Sequence, residues 1–139
     1  MTFEEKVSWV YGAVAVVVFG VYFTSILAQA RNTAVSEIAF QQPMVIAIGA
    51  TVAASILGGI LVGISKPSEA DKSDARDKEI NRFGEYVGGS VLGFGMVLPL
   101  GLTMVKADHF WIANAICAAL VLSTLVSTIV KLVAYRRGL

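Results

Sequence analysis

The sequence predicts an all-α membrane protein: four transmembrane helices in an antiparallel bundle, both ends cytoplasmic, with a short amphipathic cytoplasmic helix before the third span. Three observations predict it. Of 139 residues, 56% are hydrophobic and only 15% charged, and the mean hydropathy is +0.73, whereas in a water-soluble domain about 25% of residues are charged. The apolar residues gather in four runs, 9–28, 44–64, 86–105 and 110–133, each close to the ~20 residues that carry a helix across ~30 Å of hydrocarbon. Lysines and arginines, finally, are shared unequally between alternate connections, as the positive-inside rule requires of a multi-pass chain. The four runs form a single transmembrane domain over residues 1–139.

An unpaired backbone group in lipid costs several kcal/mol, so each run is expected to be a helix; none shows the period-two alternation of a barrel strand. The first run follows Phe3-Glu4-Glu5-Lys6, and Ala28-Gln29-Ala30 behind it has the small-x-small look of a signal-peptidase site. A cleaved signal is the competing reading. The acidic lead-in and the length of the run favour an anchored helix instead. In the connection 29–42, Ala34, Val35, Ile38 and Ala39 suit one or two helical turns lying on the membrane, or an irregular loop, before Pro43 opens the second span.

The connection 65–85 begins with a helix stop, Lys66-Pro67-Ser68, and continues in mixed charge. Asp74 and Lys78 make a favourable i,i+4 pair, and Ile80, Phe83 and Val87 an apolar stripe, hence the amphipathic cytoplasmic helix. Gly93, Gly95, Pro99 and Gly101 crowd the third span, where proline removes a backbone hydrogen bond and kinks a helix. The short connection 106–109 makes spans three and four an antiparallel hairpin, with Asp108 as N-cap. Lys131, one turn from the end of the last run, is placed to snorkel to the headgroups.

Orientation follows from the basic residues. Lys6, Lys66, Lys72, Arg76, Lys78, Arg82, Lys131, Arg136 and Arg137 fall on one side, and only Arg31 and Lys106 on the other. Both termini are therefore expected in the cytoplasm and the chain in the plasma (inner) membrane. Trp9, Tyr11, Tyr86 and Tyr135 then mark the inner interface, and Phe110 and Trp111 the outer. A net charge of +1 without a basic face gives nucleic acid nothing to bind.

Lipid tails are as apolar as leucine, so helices in a bilayer associate where small residues permit close approach. Such residues recur at four-residue spacing: Ala50, Ala54, Gly58 and Ser55, Gly59, Gly63 in the second span, Gly84 with Gly88 and Gly89 with Gly93 toward the third, and Ala115, Ala119, Ser123, Ser127 in the fourth. Either a tight monomer or contact with another subunit accounts for them. No catalytic, cofactor or metal motif occurs: histidine and cysteine each appear once, and the glycines at 88–95 follow a charged helix, not a strand. Cys117 lies in an apolar run and reads as a packed small residue. No span carries a charge at mid-membrane, where ion-coupled transporters usually need one. Asn114 is the one buried amide, and with Thr103, His109, Gln29 and Gln41 it is the candidate lining of a shallow outer pocket.

At Asp74-Ala75-Arg76-Asp77 through Ile80, Arg82, Phe83, Gly84, Glu85 and Gly88, again at Asp108-His109-Phe110-Trp111 through Asn114, and at Lys131 through Tyr135-Arg136-Arg137, the chain resembles a family of small bacterial membrane proteins, mainly actinobacterial, whose function is unassigned. The resemblance runs over nearly the whole chain. Where that family often has Asp-Glu-Arg-Asp this chain has Asp74-Ala75-Arg76-Asp77, so no role for that glutamate carries over. It implies four helices and no activity. Asp74, Arg76, Asp77, Ile80, Arg82, Phe83, Gly84 and Gly88 are the candidate surface for a partner. The expected role is association without catalysis, as accessory subunit or homo-oligomer. An oligomeric transporter or channel, and an outer-leaflet enzyme using Asp108 and His109, are the alternatives.

Overall fold

A computed structural model describes residues 3–65 and 75–137. Helices α1 (Phe3–Asn32), α2 (Gln41–Ser65), α3 (Ala75–Gly95), α4 (Val97–Met104) and α5 (His109–Arg137) are joined by a 3₁₀ turn at Val35–Glu37 and by short loops, and no strand occurs among the described residues. α1, α2, the α3–α4 pair and α5 are each long and apolar enough to cross a membrane. The first, second and fourth expected runs fall inside them, and the third, 86–105, overshoots Met104 by one residue. The helices overrun the runs because their charged ends, such as Glu4, Glu5 and Arg31 of α1, continue the same backbone ladder.

Between α1 and α2 the chain makes a 3₁₀ turn, closed by the Glu37 N–H on the Ala34 carbonyl at 2.9 Å. Ile38 and Phe40 beside it are buried, so this connection plugs apolar side chains into the helix ends. Pro43 falls in the first turn of α2, where its missing N–H would have had no helical partner.

The amphipathic helix expected to lead into the third span runs, from Ala75 onward, without interruption into it as the opening of α3. No proline occurs in 75–95 to interrupt a helix, so one backbone ladder runs through it. Its inward stripe is not Ile80, Phe83 and Val87. Asp77, Ile80, Gly84 and Gly88 face inward, while Phe83 is exposed. The expected proline break is present: α3 ends at Gly95, Met96 intervenes, and Pro99, with no N–H to offer the carbonyl one turn back, sits buried in α4.

α4 ends in a reversal with Lys106 at φ 56°. The Ala107 N–H reaches the Leu102 carbonyl at 2.9 Å and the Lys106 N–H the Thr103 carbonyl at 3.1 Å, the paired bonds of a Schellman motif. Asp108 then caps α5, its Oδ1 accepting the Phe110 N–H at 3.0 Å.

The helices pack as an open series. α5 is central, with α3 and α4 along one side and α1 along another, and α2 is held chiefly by α1. Glycine contacts fix antiparallel directions. Gly84, Gly88 and Gly95 lie against Lys131, Ser127 and Ala119 of α5, and Gly12 lies against Thr128. Gly58 of α2 lies against Val10 of α1.

Candidate functional site

Two groups of side chains, one aromatic and one charged, join the helices near their opposite ends. At the aromatic end, Phe19, Tyr22, Ile26, Ile38, Phe40, Ala47, Phe110 and Cys117 form one buried cluster contributed by α1, the first connection, α2 and α5. Phe40 meets Phe110 edge-on at 5.8 Å between centroids, and Phe110 meets Trp111 at 5.2 Å. Inside the cluster the Tyr22 hydroxyl donates to Asn114 Oδ1 at 2.6 Å, and Asn114 Nδ2 donates to the Phe110 carbonyl at 2.8 Å. The pair ties α1 to α5.

Of the residues expected to line an outer pocket, Asn114 is half-buried and the other four lie at the surface. Asn114 is engaged by Tyr22, a residue the pocket reading omitted, and Gln29, Gln41, Thr103 and His109 are all exposed. Thr103 turns its hydroxyl onto the Pro99 carbonyl at 2.8 Å. A signal for Tyr22 was present in the sequence. A tyrosine in the middle of an apolar run needs a partner for its hydroxyl, and Asn114 is the only amide in the spans. Cys117 is buried, as a packed small residue should be.

At the charged end the N-termini of α1 and α3 meet the C-terminus of α5. Lys131 Nζ lies 2.6 Å from Glu85 Oε1, and the lysine stem crosses directly over Gly84. Arg76 Nη2 donates to the carbonyls of Ala134 and Tyr135 at 3.4 and 3.2 Å, with its guanidinium 5.9 Å from the Tyr135 ring. Those carbonyls belong to the last turn of α5, where unsatisfied oxygens and the negative dipole end favour a cation. Arg136 Nε is 4.0 Å from Glu5 Oε1, and both Glu5 and Asp77 are buried.

Most of the expected partner surface is therefore spent within the chain. Arg76, Asp77, Ile80, Gly84 and Gly88 turn toward α5 or its end, Arg82 and Phe83 are exposed, and Asp74 lies outside the described residues. The reason is close approach: Gly88 has no side chain, so Ser123 Oγ can donate to its carbonyl at 2.6 Å across the helix pair.

Apolar grooves flank α5 near this end. One, of about 450 Å³, lies between α3 and α5 and is lined by Glu79, Ile80, Phe83, Ile129, Val133 and neighbours. Others, of about 430 and 440 Å³, follow α1 and α5 and share Trp9, Ile129 and Leu132. Among the described residues, no group of three or more His, Cys, Asp or Glu is placed to hold a metal ion. Comparison with family models, curated proteins and solved structures finds no match to this chain.

Proposed function

We propose that this chain is a multi-pass plasma-membrane protein, both termini cytoplasmic, that acts by associating with other membrane helices rather than by catalysis. The observation that carries this reading is the isolation of α2. It rests on α1 almost alone and turns Val45, Ile46, Val52, Ile56 and Leu57 outward. Beside them Gly49 is open, and on α3 Gly89 and Gly93 also have nothing near the position of a Cβ. A foreign helix can approach such backbone closely, which is how helices without a hydrophobic drive associate in lipid. The nine-to-two distribution of basic residues supports the orientation, and the resemblance to small actinobacterial membrane proteins agrees with four helices without narrowing the role.

The partner is either a different membrane protein, making this an accessory subunit, or further copies of the chain. Gentle detergent extraction from the native membrane, followed by native mass spectrometry, distinguishes them. A stoichiometric foreign subunit or a homo-oligomer is the expected result, and a chain recovered only as a monomer would refute association. A reporter fused after Leu139 tests orientation, with activity expected only on the cytoplasmic side.

A further inference from the structure

We propose that the face of α5 at the charged end holds an anionic diacyl phospholipid, its phosphate on Arg136 and Arg137 and its acyl chains in the grooves on either side of Ile129 and Val133. Ile129 lines every one of these grooves, and Val133 lines both the groove toward α3 and the one that ends at the arginines. These two side chains thus form a ridge between two channels, one bounded by α1 and the other by α3. Positions 129, 133, 136 and 137 are spaced i, i+4, i+7 and i+8, so they share one helix face and the arginines stand at the head of the ridge. The channel toward α1 runs from Val16, Ala13 and Leu125 to Trp9, and then beneath Arg136 and Arg137.

Charge selects the occupant. The walls present almost nothing but hydrocarbon, which suits an acyl chain, while the open end presents two guanidinium groups suited to a phosphate. Arg137 makes no ion pair or hydrogen bond among the described residues, and Arg136 has only the 4.0 Å approach to Glu5. Trp9 at the same mouth is the residue type that settles at headgroup level. Glu79 lines the opposite groove and disfavours a phosphate there, which places the headgroup over the arginine side.

The proposal rests on the chain being membrane-embedded, and is independent of which leaflet the charged end faces. Native mass spectrometry of the full chain in mild detergent, titrated with phosphatidylglycerol or with phosphatidylcholine of the same acyl chains, tests it. Two arginines predict retention of phosphatidylglycerol on the order of tenfold better. Arg137→Gln alone should weaken that preference, and Arg136→Gln with Arg137→Gln should abolish it. Ala13→Phe, filling the groove toward α1, should weaken both lipids alike while leaving the thermal midpoint unchanged. Equal retention of the two lipids, or a preference that survives the double substitution, would overturn the proposal. So would a dimer that displaces lipid and is lost with Ala13→Phe, which would assign the face to a second copy. Recovery of the chain in the soluble fraction of cells without detergent would refute the membrane reading itself, an outcome separate from all of these.

Discussion

Tyr22 is buried among phenyl rings and aliphatic side chains, and the half-buried Asn114 supplies its hydroxyl with the bond that water would otherwise make. Interhelical hydrogen bonds in membrane proteins average about 0.6 kcal/mol and reach about 1.7. Tyr22→Phe should therefore destabilise the fold by about 1 kcal/mol. Adding Asn114→Leu should recover part of that loss, because replacing both partners leaves no unsatisfied group. Chemical denaturation in micelles across the double-mutant cycle measures both; an additive cycle would show that the bond is not coupled. Lys106 carries the opposite kind of strain. A left-handed conformation costs an ordinary residue about 1–2 kcal/mol, so Lys106→Gly should raise stability by about 1 kcal/mol or somewhat less in the same assay. Asp108 was legible as a cap because an aspartate closes a very short connection just before an apolar run. Lys106 was not, since the residues that advertise a left-handed turn are glycine and asparagine.

Two glycine rows near the start of the third span look alike in sequence, and only one is used. Gly84 and Gly88, continued by Gly95, meet α5, whereas Gly89 and Gly93 face away from every other helix. A Cβ on Gly88 would lie 2.9 Å from the Ser127 Cβ and 3.1 Å from the Ser123 carbonyl oxygen, and the latter cannot yield without moving the backbone of α5. Gly88→Val should thus cost about 1–3 kcal/mol, the usual range for overpacking, while Gly89→Val should change stability little. Thermal unfolding of the two variants side by side decides it, and equal effects would mean that the α3–α5 contact is not the one described. Spacing shows that small residues form a row but not toward which neighbour the row turns. The helix break was legible from Pro99, because a missing N–H is a property of the residue and not of its surroundings.

Across the whole molecule, the four long apolar helices and the hairpin at 106–109 could be read, and the faces by which the helices pack could not, for a physical reason. In water a helix declares its buried face by polar residues on the other; in lipid both faces are apolar, so the pattern that would order the helices is absent. α2 shows the consequence: its most apolar stretch is only 6% buried against 28% for α1, although its hydropathy is the higher of the two. An element attached along one side should detach alone. Gly58 lies directly against Val10, so Gly58→Leu inserts a side chain where α2 and α1 touch. Spin labels at the exposed positions Val16 and Leu57 should then report a broadened distance distribution, while labels at Phe94 and Leu122, on α3 and α5, should report an unchanged one. If both distributions broadened together, α2 would be part of one cooperative unit and its outer face would owe its exposure to something other than loose attachment. If the first alone broadened, α2 would be the part of the chain least bound to its own fold and most available to a partner.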